Sequence, residues 1–143
     1  MIPSIAISIV MRGMFFKKRA KPLRKALKRA VSDLVEMGEQ RLDDVLKPRT
    51  RPPGVYLSVA QAQRGKASTG HYRRSIHGET KGLKGRIDDS RVVYGPWLEG
   101  ISSRNKTTRF KGYASFRKTT DLLNKKAKGV LQKRINAAVR ELA

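Results

Sequence analysis

The sequence contains no cysteine, which excludes disulfide scaffolds and zinc or iron–sulfur sites that need cysteine ligands. Aromatic residues are also scarce, at 6% of 143 residues, so the chain can bury only a modest core. No long apolar run is present. The longest, residues 2–11, is broken by Pro3, Ser4 and Ser8 and is far shorter than the roughly 20 residues that span a bilayer. We therefore expect no membrane segment.

Acidic residues are outnumbered three to one: 11 Asp and Glu stand against 33 Lys and Arg, for a formal net charge of +22. A charge of this size repels itself in a compact monomer and favours polyanions or acidic partners. Nucleic acid, an anionic membrane surface and an acidic protein neighbour all satisfy this preference, whereas an enzyme for small neutral substrates does so less well. The length is that of one domain, and we assign residues 1–143 to it.

The N-terminal residues alternate in the manner of a β-strand. Ile5, Ile7 and Ile9 stand at every second position and are β-branched, which predicts a strand over residues 4–12. The cations that flank this segment follow it instead of preceding it, which is not the order of a secretory signal peptide. We expect an unprocessed protein that is made in the cytoplasm.

A long amphipathic helix is predicted over residues 20–46. Pro22 suits its first turn, Pro48 ends it, and apolar residues recur between them at three- and four-residue steps. These apolar residues are Leu23, Leu27, Ala30, Val31, Leu34, Val35, Leu42 and Val45.

The polar side of this helix is divided by charge. Its N-terminal half carries the cations Lys21, Arg24, Lys25, Lys28 and Arg29. Its C-terminal half carries the acids Asp33, Glu36, Glu39, Asp43 and Asp44. This order opposes the helix macrodipole, at a cost of roughly a few tenths of a kcal/mol for each exposed charge. It predicts either a solvated face or a contact in which the basic half of one subunit meets the acidic half of the next.

Shorter elements are predicted in the rest of the chain. Residues 55–98 contain strands and turns, with strands over 71–78 and 86–94 and a short strand or lining segment at 55–60. Residues 99–118 are an extended basic loop, and residues 119–142 form a closing helix. The predicted fold class is α+β: a small antiparallel sheet packed by a long N-terminal helix and a C-terminal helix, with long basic loops.

Catalytic patterns are weak. His71 and His77, together with Asp88, Asp89 or Glu99, could in principle bind a metal or serve a nuclease. No Asp-x-Asp, His-Glu-x-x-His or His-Asn-His pattern supports this, and histidines in a Lys/Arg-rich strand are more often surface residues. We predict no catalytic residue, no metal and no cofactor.

Cations dominate the last 40 residues. Twelve Lys and Arg stand there against Asp121 and Glu141, which is an electrostatic footprint for phosphates. No helix-turn-helix, zinc finger or RNA-recognition aromatic pair is present, so any nucleic-acid contact should ignore base sequence. Acidic neighbouring proteins would suit the same charges. The cations that we consider as interface or DNA-facing candidates are Arg24, Lys25, Lys28, Arg104, Lys106, Arg109, Lys111, Lys125, Lys126 and Lys133.

The single tryptophan lies in the densest cluster of the chain, Val93-Tyr94-Gly95-Pro96-Trp97-Leu98-Glu99-Gly100. This cluster is either a core corner where a strand turns onto the sheet or an interface anchor, since Trp and Tyr carry much of the energy in protein contacts. We take Tyr94, Trp97, Phe110 and Phe116 as candidate structural anchors.

At this cluster the sequence resembles the neck and tail-completion proteins of long-tailed bacteriophages. Thr69-Gly70-x-x-Arg73-Arg74-Ser75-Ile76 is similar to the family's Thr-Gly-x-Leu-Arg-x-Ser-Ile element, and Val93–Gly100 is similar to its hydrophobic-aromatic-Glu-Gly turn. A polar loop, the segment Arg109–Arg117 and a closing helix follow in the family's order. The family's Pro-Phe-Leu-Arg-Pro run is represented here only by Phe116-Arg117.

The resemblance implies a non-enzymatic structural protein of the virion neck. Such a protein would form a ring, as a hexamer or dodecamer, around the channel that DNA crosses between head and tail, as a head-to-tail connector, tail-completion or tail-terminator protein. Its partners would be copies of itself, neighbouring head-completion and tail proteins, and double-stranded DNA without sequence preference. Two alternatives come from other classes: a stand-alone, sequence-nonspecific nucleic-acid-binding protein and a metal nuclease.

Overall fold

Three antiparallel strands and two long helices make up the framework of the structure, a computed structural model that describes residues 2–10, 20–49, 64 and 70–142. The elements in chain order are β1 (Ser4–Ser8), α1 (Ala20–Leu46), α2 (His71–Ser75), β2 (His77–Lys81), β3 (Lys84–Asp88), α3 (Gly95–Glu99), α4 (Arg104–Thr107) and α5 (Ser115–Leu142). The fold is α+β, with the sheet packed against α1 and α5, which confirms the predicted class.

The central strand of the sheet is β3, which pairs with β1 on one side and β2 on the other. Ile5 lies opposite Ile87, and both side chains are buried. Val35 of α1 packs over Gly78 and Gly85, where a Cβ on either glycine would overlap the valine methyl groups. The two glycines therefore let the helix approach the sheet closely.

The two long helices pack side by side in antiparallel directions. Asp33 contacts Arg134, whereas Gly38, later in α1, lies against Leu123, earlier in α5. The main core between the helices and the sheet consists of Ile5, Val31, Leu34, Val35, Leu42, Ile87, Phe116 and Leu123. Full burial of one such side chain contributes about 1.5–3 kcal/mol, so this cluster is the main source of stability.

A second apolar cluster joins the end of α1 to the segment around α2 and α3. Its buried members are Leu46, Tyr72 and Val92, and the half-buried residues packed against them are Ile76, Leu98 and Tyr113. The hydroxyl of Tyr113 also donates to the backbone oxygen of Arg49 at 3.3 Å. The residues that follow α3 are thereby attached to the C-terminal end of α1.

The strand predicted over residues 71–78 is wrong for its first half, because residues 71–75 form α2 and β2 begins at His77. Tyr72 and Ser75 are both buried. A three-residue spacing brings two side chains to one side of a helix but to opposite sides of a strand. The Ser75 hydroxyl also donates to the backbone oxygen of His71 at 2.8 Å, across one helical turn.

The strand predicted over residues 86–94 ends early, at Asp88. Asp88 Oδ1 accepts a hydrogen bond from the backbone N–H of Ser90 at 2.8 Å. Asp89 Oδ1 accepts one from the backbone N–H of Arg91 at 3.2 Å. Aspartate side chains that bond the backbone two residues on are typical of turns. The chain therefore leaves the sheet here, with φ of 54° at Ser90 and 60° at Arg91.

The remaining predicted elements agree with the structure only in part. The helix predicted over 20–46 is confirmed as α1, and the strand predicted over 4–12 is observed as Ser4–Ser8. Residues 11–12 of that prediction, and the short strand or lining segment at 55–60, lie outside the described residues. The extended loop predicted over 99–118 is wrong, because it contains α4 and because α5 begins at Ser115. Among the helices that the structure describes, none combines the length and apolarity needed to cross a membrane.

Candidate functional site

The antiparallel packing of α1 and α5 concentrates positive charge at one end of the helix pair. The N-terminal half of α1, which carries five cations, lies beside the C-terminal half of α5, which adds Lys133, Arg134 and Arg140. We name this surface the basic end and define it as Lys21, Arg24, Lys25, Lys28, Arg29, Lys133, Arg134 and Arg140. The acids within residues 20–33 and 130–142 are Asp33 and Glu141. The sequence contains the cations, but only the packing of the helices shows that the two groups lie at the same end, where Lys21, Lys25, Arg29 and Arg134 line one groove.

A groove of about 330 Å³ runs between the two helices at the basic end. Its charged lining consists of Lys21, Lys25, Arg29, Arg134 and Glu141. Arg134 is neutralised, since its Nε and Nη2 donate to the two carboxylate oxygens of Asp33 at 2.7 and 2.8 Å. This hydrogen bond lowers the pKa of Asp33 below its usual value. The three cations of α1 in the groove make no ion pair with any residue that the structure describes.

The acidic half of α1 is largely occupied by contacts within the chain. Asp33 holds Arg134, and Asp43 Oδ1 accepts from Arg73 Nε at 3.0 Å. Glu39 accepts the backbone N–H of Gly78 at 2.6 Å, which ties α1 to β2. Three of the five acids that were considered as contacts to a neighbouring subunit therefore stabilise this chain's own fold. The acids of α1 that remain for a neighbour are Glu36 and Asp44.

A second surface is formed by residues 100–112, which close on themselves. Gly100 and Gly112 have φ of 86° and 89°, and their backbones touch. A Cβ at Gly100 would overlap the carbonyl oxygen of Lys111, and a Cβ at Gly112 would overlap the Gly100 backbone. The backbone N–H of Tyr113 donates to the carbonyl of Leu98 at 2.6 Å, beside this crossing. We call residues 100–112 the pinned loop. The sequence predicted an extended loop here, whereas the observed loop is closed.

The interior of the pinned loop is organised around Asn105, which is 5% exposed. Its Nδ2 donates to the carbonyl oxygens of Trp97 and Phe110 at 2.9 and 3.1 Å. Its Oδ1 accepts the backbone N–H of Ser102 at 3.1 Å. The rings of Trp97 and Phe110 also lie 4.7 Å apart, centre to centre. One amide side chain therefore connects both limbs of the loop to α3.

All four cations of the pinned loop are exposed, and three of them, Arg104, Lys106 and Arg109, have side chains that make no hydrogen bond within the loop. None of the three forms an ion pair with another described residue. Lys111, the fourth predicted contact residue of this loop, has an internal role, since its Nζ donates to the carbonyls of Asn105 and Lys106 at 2.9 and 3.3 Å. Lys125 and Lys126 are exposed on α5 and belong to neither of these two sets of residues.

Glu99, the last residue of α3, joins α3 to the start of α5. This buried carboxylate accepts the Ser115 hydroxyl on Oε1 and the backbone N–H of Phe116 on Oε2, the latter at 3.0 Å. The first turn of a helix has N–H groups without partners inside the helix, and an acceptor there stabilises its start. Glu99 thus explains why α5 begins at Ser115 instead of Thr119. A cap sixteen residues away leaves no local signal in the sequence.

The predicted aromatic anchors occupy different environments. Phe116 belongs to the main core, whereas Trp97 and Phe110 are half-buried and hold the pinned loop. Tyr94 is 44% exposed and lies against the rings of His71 and Tyr72. Residues 95–99 form a short helix, so the tryptophan marks the base of the loop, outside both apolar clusters of the described residues.

Each histidine ring lies within hydrogen-bonding distance of a serine hydroxyl, His71 of Ser75 at 3.3 Å and His77 of Ser90 at 2.8 Å. Ser90 Oγ lies 2.8 Å from His77 Nε2 and 2.8 Å from the carbonyl oxygen of Ser75. A serine hydroxyl has one proton, and a carbonyl can only accept, so the Ser90 proton goes to Ser75 and His77 Nε2 donates to Ser90. His77 therefore has no acceptor nitrogen aimed at this hydroxyl. The described ranges contain no group of three or more potential metal ligands.

Asp89 is a buried carboxyl whose pKa burial raises above its ordinary value of 3.8. A group whose pKa is higher in the folded state takes up a proton on folding, so stability rises as the pH falls through the folded-state pKa. Asp89→Asn keeps the Oδ1 acceptor for Arg91. We expect this variant to be at least as stable as the parent at pH 7.5 and to gain less stability than the parent as the pH is lowered from 7.5 to 3.8 in urea unfolding. An equal pH response in both proteins would contradict the expected titration of Asp89.

Removal of the Asn105 side chain should open the pinned loop. Asn105→Ala loses three hydrogen bonds, while the core is unchanged. The Trp97 carbonyl then keeps only the Gly100 N–H, and the Phe110 carbonyl only the Thr108 hydroxyl, each at 3.2 Å. We expect trypsin to cut after Arg104, Lys106 or Arg109 at least tenfold faster than in the parent. Asn124→Ala, at an exposed position of α5, is the control and should be cleaved at the parent rate. Equal loop cleavage in both variants would show that Asn105 does not hold the loop.

The basic end and the pinned loop are thus two cationic surfaces with different structures, one on a pair of long helices and one on a closed loop. Both carry charges that the described part of the chain does not neutralise. Comparison with protein-family models, with curated proteins and with solved structures finds no match to this chain.

Proposed function

We propose that the chain is a structural subunit of the neck of a long-tailed bacteriophage. In this proposal it forms a ring that joins the DNA-filled head to the tail around the DNA channel, and its basic end faces the DNA. The observation that carries the proposal is the basic end itself, where eight cations of two helices share one end of the helix pair with two acids.

The basic end is electrostatically unfavourable in an isolated subunit. Like charges on neighbouring helices repel, and the cations of α1 also lie at the positive end of the helix dipole. Lys21, Lys25 and Arg29 line one groove with a single acid, Glu141, and Asp33 is already bound to Arg134. A bound polyanion would offset this repulsion, because each of its phosphates attracts the nearby cations. A nucleic-acid backbone is the partner with the matching charge density.

The architecture supports the same proposal. The resemblance implies a strand and a long charged helix first, then a turn with an aromatic residue, a polar loop and a closing helix. The α+β framework has two long helices on a small sheet, and the pinned loop precedes α5. A ring needs two unlike surfaces on each subunit, one for each neighbour. Glu36 and Asp44 on α1 are the exposed acids that could meet cations of the next copy. Hexamer and dodecamer remain the predicted copy numbers.

Deletion of the gene from the phage that encodes this chain tests the proposal. We expect filled heads and complete tails to accumulate separately in electron micrographs of lysates, and expect a plasmid copy of the gene to restore joined virions. Joined and infectious virions without the gene would contradict the proposal.

The alternative is a stand-alone, sequence-nonspecific nucleic-acid-binding protein, which the basic end also favours. The two functions differ in where the protein is found. A nucleoid-type protein should bind free duplex tightly and be absent from purified virions. A neck protein should be present in virions at a fixed number of copies, which quantitative mass spectrometry of purified particles measures.

A further inference from the structure

We propose that the pinned loop is a preformed docking element for an acidic surface on a different protein. Its charged contacts would be Arg104, Lys106 and Arg109, and its apolar contact would be Ile101. The inference rests on the proposed function for the identity of the partner, which would be a virion component that stacks on the ring.

The loop is already ordered before any partner binds. Its ends are held by the contact between Gly100 and Gly112, and its centre is held by the three hydrogen bonds of Asn105. Two threonine hydroxyls, those of Thr107 and Thr108, donate to the Arg104 carbonyl at 3.2 and 2.9 Å. Binding through an ordered loop avoids the cost of immobilising it, which is a general source of affinity. Compact closed loops of this length are frequently functional.

The side chains of Arg104, Lys106 and Arg109 have no part in building this loop. The loop is held by the contact between Gly100 and Gly112 and by hydrogen bonds from uncharged side chains and from Lys111. Residues 100–120 contain no Asp or Glu, so no acid in this segment is available to neutralise Arg104, Lys106 or Arg109. The loop therefore presents fixed positive charge outward without using it for its own stability.

The composition of the outward surface favours a protein over a nucleic acid. Ile101 of the same loop is 47% exposed, and its apolar side chain contributes nothing to the loop's hydrogen bonds. A phosphate backbone has no apolar surface that would bury an isoleucine, whereas an acidic protein surface can have one. Each Å² of apolar surface removed from water contributes about 25 cal/mol. The basic end differs in this respect, because its groove is lined mainly by charged residues and alanine.

The test is charge removal in the phage that encodes this chain. The loop variant is R104Q/K106Q/R109Q, and the control is K81Q/K84Q/R91Q, which removes the same charge from exposed positions near the hairpin. We expect the loop variant to lower the plaque titre at least 100-fold, with filled heads and complete tails left unjoined, and the control to stay within fivefold of the parent. Both purified variants should melt within 3 °C of the parent and should form a ring of the parent's mass. Their affinity for a 20-base-pair duplex should stay within threefold of the parent's.

Selection of suppressors identifies the partner. Virus carrying R104E/K106E/R109E should regain plaques through changes of Asp or Glu to neutral or basic residues in another virion protein. Suppressors confined to this chain, or loss of ring mass in the loop variant, would overturn the inference in favour of a contact between copies. A duplex affinity lowered more than tenfold would overturn it in favour of DNA.

The two proposals fail in different ways. If deletion of the gene leaves virions joined, the proposed function and the loop inference are both overturned. If deletion separates heads from tails but the loop variant plates like the control, the loop inference alone is overturned.

Discussion

Replacement of Glu99 with alanine should lower the free energy of unfolding by about 3 kcal/mol, because two buried donors lose their acceptor at a cost of about 1–3 kcal/mol each. These donors are the hydroxyl of Ser115 and the backbone N–H of Phe116, at the start of α5. For a chain of this length the loss corresponds to a melting temperature about 10 °C lower. Thermal unfolding followed by circular dichroism measures it.

Two controls separate the cap from other effects of the substitution. Glu99→Gln keeps one carbonyl acceptor and should lose about half as much stability as the alanine variant. Glu36→Ala removes an exposed carboxylate of α1 and should change the melting temperature by less than about 2 °C. If Glu99→Ala melts at the parent temperature, α5 does not depend on this cap.

Removal of three cations from the groove at the basic end should weaken DNA binding more than tenfold at about 150 mM salt. In K21Q/K25Q/R29Q the slope of log K against log salt should fall by about 2.7, since each phosphate contact contributes about 0.9. The groove residues are exposed or line its surface, so stability should remain near that of the parent. Fluorescence anisotropy with a labelled 20-base-pair duplex, from about 50 to 300 mM salt, measures both quantities.

The control for this experiment is again K81Q/K84Q/R91Q, which removes three cations near the β2–β3 hairpin. We expect this variant to lose less than threefold in affinity and to change the slope by less than about 1. Two duplexes of unrelated sequence should give the same result, because no base-reading motif is present. Equal losses in both triple variants would mean that binding follows net charge alone and that the groove is not a site.

The sequence predicted the elements whose signals are local. α1 has the predicted bounds because its apolar spacing, Pro22 and Pro48 all act within the segment. β1 follows the alternation of its isoleucines. In these elements the local pattern of apolar residues and the packing in the fold favour the same conformation. The residues within the segment are therefore sufficient to predict it.

The elements that differ from their prediction depend on distant or unusual contacts. α5 begins at Ser115 because Glu99 caps it from another segment, and the pinned loop is closed by two glycines twelve residues apart. β3 ends at Asp88 because two consecutive aspartates bond the backbone beyond it. Periodicity contains no information on contacts of this kind.

The candidate surfaces were only partly predictable for the same reason. The cations of α1 and α5 are visible in the sequence, but their union at one end follows from the antiparallel packing of the helices. The acids of α1 were expected to be available to a neighbour, whereas Asp33, Glu39 and Asp43 have partners within the chain. Charge alone does not show whether a residue serves the fold or a partner.

Immunogold labelling of purified virions tests the central claim most directly. An antibody raised against this chain is applied to particles of the phage that encodes it, and the label is located by electron microscopy. The proposed function predicts gold at the junction of head and tail, with none at the distal end of the tail or over the capsid. Virions without label, together with the protein recovered in the DNA-bound fraction of infected cells, would contradict the neck proposal and support the nucleic-acid-binding alternative.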